Sequence, residues 1–164
     1  MEYATDPSVS CCFTGHRDIP WKHARRLLQM LPLEIISLYQ KGYRNFLTGG
    51  ALGFDTMVAR ILIRLRQKQC PQLRLIVVQP CDDQDSKWST ENKRLYRDIL
   101  AAADEVICLS PTYFRGCMLS RNRVMVDKSS CCIAYLTHTG SGTAYTANYA
   151  AQHGCTVINL ADRF

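Results

Sequence analysis

A glycine-rich loop near the end of the chain has the composition of an anion-binding site. Gly140, Ser141, Gly142 and Thr143 follow an apolar run at 131–136 and begin a stretch with helical spacing. Glycine lets backbone N–H groups approach a ligand, and the first turn of a helix offers unpaired donors and partial positive charge. Phosphate is the usual ligand of such a loop. The pattern alone is weak, because many strand-to-helix turns use glycine only to change direction.

Two further polar segments follow the first two predicted strands. Thr14, Gly15, His16 and Arg17 come after the first of them. We expect Arg17 to contact a phosphate, since the planar guanidinium matches phosphate geometry.

The second of these segments contains Gly49, Gly50, Gly53 and Asp55. The density of glycine predicts a close backbone approach to a ligand. Asp55 begins the second predicted helix, where a carboxylate either caps the helix or accepts hydrogen bonds from ribose hydroxyls. Because the loop lies at the sheet edge, we expect a bulky residue at Gly53 to remove ligand affinity while leaving helical content and melting largely intact.

Two residues of a later predicted helix, Arg121 and Asn122, are further ligand-binding candidates. Arg121 is either a solvated helix arginine or a phosphate contact. Asn122 lies five residues before Asp127, so its amide either forms a scaffold with that carboxylate or contacts the ligand.

The hydrophobic pattern indicates how these segments are positioned. Strands are predicted at 8–13, 45–47, 73–79, 105–109, 131–136 and 156–160, and helices at 21–39, 52–66, 88–103, 119–126 and 143–153. Continuous apolar strands that alternate with helices are typical of a parallel sheet covered on both faces. The prediction is an α/β fold, a Rossmann-like three-layer sandwich with about six mostly parallel strands. In such sheets ligands bind beyond the carboxyl ends of the strands, so the loops at 14–17, 49–55 and 140–143 are expected to converge.

Several common enzyme motifs are absent from the sequence. The first strand-helix turn lacks G-x-G-x-x-G, no Gly-Lys-Ser/Thr completes a Walker A loop, and Gly-x-Ser-x-Gly does not occur. An ordinary NAD dehydrogenase, a P-loop NTPase and an α/β-hydrolase are therefore disfavoured.

Composition limits the class of protein. The 164 residues, 47% of them hydrophobic, fit one domain over 1–164. No run is long enough for a membrane span and the N-terminus does not resemble a secretory signal, so a cytoplasmic location is expected. The nine cysteines form no Cys-x-x-Cys pair; those in apolar runs, Cys108 included, are interpreted as core residues, and no metal site is predicted. The net charge of +6 favours an anionic partner.

Several motifs together resemble the YpsA/YoqJ-like proteins, a branch of the SLOG superfamily with Rossmann-like folds. They are FTGHR, TGGALGFD, Pro80-Cys81 with Gln84 and Trp88, GCMLSRNRVMVD and GSGTAYTANYA, which occur in the family's order from Phe13 to about Ile158. The resemblance implies that the glycine loops form a pocket for a nucleotide-derived ligand related to ADP-ribose or NAD.

Two related families define the alternatives. TGGALGFDTMVAR and RNRVMVD resemble DprA, which binds single-stranded DNA. The LOG-type phosphoribohydrolases carry a catalytic glutamate three residues after Gly-Thr, and this sequence has Thr146 there. That substitution argues against LOG-type hydrolysis.

The resulting hypothesis is a protein that senses or sequesters a nucleotide-derived small molecule. Two alternatives remain open: a nucleotide or N-glycoside hydrolase with Asp55 as its catalytic carboxylate, and a DprA-like module for single-stranded DNA. Nucleic acid is disfavoured, because the arginines are spread over several helices. No cofactor is predicted other than the ligand itself, and a homo-oligomer stays open. The polar loop at 80–87 is interpreted as mobile and has no assigned role.

Overall fold

Six short apolar runs form one parallel β-sheet in the computed structural model, which describes residues 5–164. The strands are β1 (Ser10–Gly15), β2 (Asn45–Thr48), β3 (Arg74–Gln79), β4 (Glu105–Cys108), β5 (Cys131–Tyr135) and β6 (Thr156–Asn159). Their order in the sheet is β4-β3-β2-β1-β5-β6, and every neighbouring pair is parallel. The predicted Rossmann-like α/β fold is therefore confirmed.

Five helices cover both faces of this sheet. They are α1 (Trp21–Gln40), α2 (Phe54–Lys68), α3 (Thr90–Ala102), α4 (Cys117–Asp127) and α5 (Gly142–Gln152). Successive side chains of a strand point to opposite faces. Cys11 and Phe13 accordingly pack with α1, α2 and α3, while Cys12 packs with α4 and α5. Burial on both faces explains why the strands read as continuous apolar runs.

The start of β1 differs from the sequence prediction. A short 3₁₀ helix, Pro7–Val9, occupies the position where the strand was expected to begin. Asp6 caps it by accepting a hydrogen bond from the Ser8 N–H, and Pro7 supplies the fixed φ that suits a first helical position. The strand consequently begins two residues later and runs on to Gly15.

The cysteines are free thiols, and eight of the nine are buried. Cys11 and Cys12 lie in register with Cys131 and Cys132 on the neighbouring strand. The exception is Cys108, which is exposed although its run is apolar. The reason is topological: β4 is an edge strand, so parts of it stay in contact with water.

The point where strand order reverses lies between β1 and β5. β1 pairs with β2 on one side and with β5 on the other, and Gly15 stands opposite Tyr135 at the carboxyl end. Loops leaving these two strands diverge to opposite faces and leave a crevice between them. Within residues 5–164, none of the helices combines the length and apolarity needed to cross a membrane.

Candidate functional site

A cavity of about 260 Å³ lies at this switch point. Its wall combines the end of β1, the loop before α2, the first turns of α4 and the start of α5. Ten of the predicted ligand-binding residues line it: Thr14, Gly15, His16, Arg17, Asp55, Arg121, Asn122, Ser141, Gly142 and Thr143. The convergence expected from the sequence pattern is therefore present in the fold.

Four of the predicted residues do not line this cavity, and three others do. Gly49, Gly50, Gly53 and Gly140 lie outside its wall, whereas Phe13, Ala51 and Met118 are part of it. The apolar members of the wall carry no sequence signal, since Phe13 and Met118 resemble ordinary core residues.

The glycines of the second loop have a different role from the one predicted. A Cβ atom at Gly49 would overlap the guanidinium of Arg121, and one at Gly50 would press against Tyr96. These glycines permit a close approach between parts of the chain itself. Contact between these glycines and a ligand stays a prediction.

Gly53 joins two loops of the site. Its φ is +83°, a conformation that strongly favours glycine, and a Cβ there would overlap the backbone of Arg17. The next residue, Phe54, donates its N–H to the carbonyl of His16. A bulky residue at Gly53 would therefore disturb the fold, so the expectation that stability would survive such a change is corrected.

The start of α5 presents unpaired donors to the cavity. Ser141 caps the helix by accepting a hydrogen bond from the Ala144 N–H at 3.1 Å. The N–H groups of Gly142 and Thr143 find no acceptor in the part of the chain that the structure describes. Free backbone donors at a helix N-terminus are chemically suited to an anion.

Arg121 is a buried cation of the cavity wall, with 4% of its surface exposed. Its Nη1 donates to the carbonyls of Gly49 at 2.5 Å and Val78 at 3.3 Å, and its Nε donates to the side chain of Asn122 at 2.7 Å. Three of the five guanidinium N–H groups are thus paired with oxygen. Nη2, which contacts only the sulfur of Met118 at 3.7 Å, is the part left for a ligand.

Asp55 is the carboxylate of the cavity wall and is also buried. Its Oδ2 accepts a hydrogen bond from the Ala51 N–H at 3.2 Å. Burial raises the pKa of Asp55, while the charges of Arg121 and Arg17 oppose this shift. Among the ion pairs of residues 5–164 there is none between Asp55 and Arg121, so the two charges face the cavity without closing it.

His16 and Arg17 differ in how much freedom they keep. The His16 Nε2 accepts a hydrogen bond from the Thr137 N–H at 3.0 Å, and its ring stacks on His138 at 4.0 Å. Burial and the nearby His138 lower the pKa of His16, which favours the neutral ring. Arg17 is exposed at the rim, with no hydrogen bond to the described residues. Arg17 is therefore a cation of the wall whose guanidinium is left without a partner among the described residues.

Asn122 links α4 with α5. Its amide nitrogen donates to the Thr146 hydroxyl at 2.9 Å, and that hydroxyl donates to the Gly142 carbonyl at 2.8 Å. The alternative scaffold with Asp127 is wrong, because that carboxylate accepts from the Tyr149 hydroxyl instead. Asn122 thus fixes the helix start that carries the free N–H groups.

Gln84 connects the loop at 80–87 to α3 and to the second glycine loop, while the mobility expected for this loop stays a prediction. Gln84 donates to the Tyr96 hydroxyl at 2.8 Å and to the Gly49 carbonyl at 3.3 Å, and Trp88 packs edge-on against Tyr96. Gln84 therefore shares an acceptor with Arg121, which connects this loop to the cavity wall. The polar composition of the segment gave no indication of this contact.

Comparison with known proteins places the chain in a family. The family model described as YpsA, the YspA SLOG family, matches residues 13–157. The SPbeta prophage-derived protein YoqJ of Bacillus subtilis is 34% identical over 131 residues, which are 73% of this chain and 75% of YoqJ. A UPF0398 protein of Halalkalibacterium halodurans is 34% identical over 98 residues, or 58% of this chain and 51% of that protein. The chain thus spans about half the length of this second relative.

Two solved structures share the fold. The DNA processing protein A of Helicobacter pylori, described for its single-stranded DNA binding mode, has a TM-score of 0.62 at 19% identity, covering 96% of this chain and 71% of that one. DprA of Streptococcus pneumoniae has a TM-score of 0.65 at 19% identity and covers 92% and 49%. At this identity the likeness concerns the fold alone. The family match and the YoqJ alignment decide the affiliation: the chain belongs to the YpsA family of SLOG proteins.

Proposed function

We propose that the cavity binds a nucleotide-derived small molecule, such as ADP-ribose or a related NAD derivative. The observation that carries the proposal is the pairing of a helix start that has two free N–H groups with a buried carboxylate in one cavity wall. A phosphate would accept hydrogen bonds from the free N–H groups, and a sugar hydroxyl would donate one to the carboxylate. The protein would then sense or sequester this ligand.

The phosphate position lies at the start of α5. The N–H groups of Gly142 and Thr143 supply neutral donors, and the helix dipole adds partial positive charge. Arg17 at the rim is exposed and unpaired among the described residues, so its guanidinium can close over the bound anion.

The sugar position lies at Asp55. Its Oδ2 already accepts from Ala51, which leaves acceptor capacity on the carboxylate for a ribose hydroxyl. Arg121 Nη2 supplies a donor in the same wall. A volume of about 260 Å³ is at the lower end of ligand cavities, so a base or second phosphate would extend into the open mouth.

Binding without turnover is favoured by the composition of the wall. Asp55 is its single carboxylate within the described residues, and His16 already uses Nε2 to accept from Thr137. An acid/base pair of the kind that glycoside hydrolysis uses is not assembled there. Hydrolysis that uses Asp55 remains the alternative that a product assay decides.

Native mass spectrometry of freshly purified protein, followed by titration with ADP-ribose, tests this proposal. We expect a retained or added mass that matches a nucleotide derivative. Arg17→Ala should weaken binding about tenfold, the loss of one charge-assisted contact. Arg25→Ala, an exposed arginine of α1 outside the cavity, serves as the control. Equal affinities of the two variants would place the phosphate elsewhere.

Single-stranded DNA is a second candidate because of one surface feature. Tyr145, Tyr149 and His153 stack along α5, and Arg123 donates to the Tyr145 hydroxyl at 3.1 Å. Aromatic side chains beside arginine are the elements of a base-stacking platform. The H. pylori DNA processing protein A with the same fold is described as binding single-stranded DNA.

Titration of a labelled thymidine oligomer at two salt concentrations separates the candidates. Binding that relies on phosphate neutralisation falls steeply with salt. We expect weak binding that disappears near physiological ionic strength, while a nucleotide remains bound. Tight binding at the higher salt that requires Arg123 would instead favour the DNA candidate.

For either ligand we propose a cytoplasmic location, since nine free cysteines are typical of a reducing compartment.

A further inference from the structure

A further groove lies on the face formed by α1, α2 and α3, and it begins at Leu52 and Gly53 beside the candidate site. It encloses about 680 Å³, and its apolar lining includes Leu28, Leu52, Met57, Ile61 and Leu95. Leu28 is 55% exposed, although its spacing within α1 is that of a core position. A second depression of about 390 Å³ continues the groove between α2 and α3.

A row of cations follows this groove along α2. Arg60, Arg64 and Lys68 are spaced by four residues, which places them on one line of the helix surface. All three are exposed, and in the described part of the chain they form no hydrogen bond or ion pair with another side chain. Asp98 on α3 is the single carboxylate of this lining in the described residues, so the three cations leave the lining with a net positive charge.

The shape of the groove corresponds to a short helix. From Thr56 to Lys68 the lining follows α2, a distance of roughly 18 Å at 1.5 Å per residue. A guest helix of about twelve residues has the same length. Such a helix presents apolar side chains at positions i, i+3, i+4 and i+7, which match a continuous aliphatic floor.

We propose that this groove binds an acidic amphipathic helix of a partner protein. The apolar face of the partner would cover Leu28, Met57 and Ile61, and its carboxylates would pair with Arg60 and Arg64. Nucleic acid does not suit the surface, because the lining includes no aromatic side chain for base stacking. A second copy of the chain does not suit the surface either. Pairing about a two-fold axis through α2 would bring this row of cations against the same row of the other copy, and like charges repel.

Fluorescence anisotropy with three labelled synthetic peptides tests the proposal. One is an amphipathic helix of leucine and glutamate, the second has lysine in place of glutamate, and the third is a shuffled form of the first. We expect the acidic amphipathic peptide to bind about tenfold more tightly than either of the others, since both charge and pattern contribute. Equal binding of the shuffled peptide, or no binding of the first, overturns the proposal.

Charge reversal in the protein gives the sharper result. The double variant Arg60→Glu/Arg64→Glu should lose the acidic peptide and gain the lysine peptide. Arg94→Glu/Arg97→Glu changes the net charge equally, on exposed positions of α3 outside the groove lining, and should leave the preference unchanged. If both double variants change the peptide preference equally, the attraction depends only on the net charge of the protein and the proposal fails. If sedimentation shows a dimer of the wild type that Arg60→Glu/Arg64→Glu dissociates, the occupant is a second copy and the proposal fails.

Discussion

Replacing Arg121 by methionine should reveal that this residue is primarily a structural cation of the cavity wall. Methionine replaces the aliphatic part of the side chain and removes its charge and its donors. The carbonyls of Gly49 and Val78 and the side-chain oxygen of Asn122 would each lose a hydrogen bond. Asp55 would also lose the charge that most strongly opposes the rise of its pKa.

The size of the effect follows from burial. Removal of one partner from a buried charged network lowers the free energy of unfolding by about 3–5 kcal/mol, because the groups left behind remain desolvated. For a chain of this length each kcal/mol corresponds to roughly 2–4 °C in Tm. At about 4 kcal/mol we expect Arg121→Met to lower Tm by roughly 8–16 °C, a large part of the about 5–15 kcal/mol that typically stabilises a domain.

Calorimetry and urea unfolding measure this change directly. The matched control is Arg123→Met two positions further along α4, where the partners are the Tyr145 hydroxyl and the Ser120 hydroxyl. Arg123→Met should lower the free energy of unfolding by no more than about 1 kcal/mol, as is usual for partly exposed contacts. If Arg121→Met and Arg123→Met unfold alike, the hydrogen bonds of Arg121 do not stabilise the wall and the reasoning is refuted.

Three further outcomes are expected. Gly53→Val should destabilise the fold, because its positive φ and its contact with the Arg17 backbone exclude a side chain, and thermal unfolding measures the loss. Burial lowers the pKa of His16 in the folded protein below the value of about 6.5 that a histidine has in the unfolded chain. The unfolded chain therefore binds this proton first, and the free energy of unfolding should fall as the pH drops below about 6.5. His16→Gln, whose amide oxygen can still accept from Thr137, should flatten that slope. ADP-ribose incubated with the protein should be recovered unchanged while it raises stability by about 2.7 kcal/mol at a hundredfold excess over Kd.

Each of these outcomes has a matched control. Gly140 also has a positive φ, +77°, but open space surrounds its Cα atom, so Gly140→Val introduces the backbone strain alone. A larger loss of stability in Gly53→Val than in Gly140→Val is then due to the overlap with the Arg17 backbone. His153→Gln alters an exposed histidine and should leave the pH slope unchanged. Release of a free base or ribose phosphate that Asp55→Asn abolishes would contradict binding without turnover.

The order and type of the elements were predictable from the sequence because local pattern and tertiary environment agree. The β3 run is apolar because both faces of that strand are covered, and the spacing of Leu27, Leu31, Ile35 and Leu38 matches the buried face of α1. The exposed Leu28 shows the limit of this reasoning. Hydrophobic spacing places Leu28 on the core side, but none of the elements within residues 5–164 covers it.

The cavity was partly predictable for a topological reason. Loops that leave neighbouring parallel strands must meet at one edge, and this rule brings Thr14, Asp55 and Thr143 together. The rule does not reveal what a glycine faces. Gly49 and Gly53 were assigned to a ligand, whereas the space at their Cα atoms is filled by Arg121 and by the Arg17 backbone. Only the three-dimensional packing identifies the occupant.

Thr146 joins α4 to the start of α5 through two hydrogen bonds. By the sequence resemblance it stands where the LOG-type phosphoribohydrolases carry a catalytic glutamate, and in the structure the side chain is buried between Asn122 and the Gly142 carbonyl. Both hydrogen bonds secure the start of α5, so the position contributes to the geometry of the anion-binding turn and supplies no carboxylate. Asp55 must then meet any need for an acidic group, and its partners are the Ala51 N–H and the neighbouring charge of Arg121. A wall that places one carboxylate beside free backbone donors is suited to recognise a phosphorylated sugar, which supports the proposal that the cavity retains such a ligand.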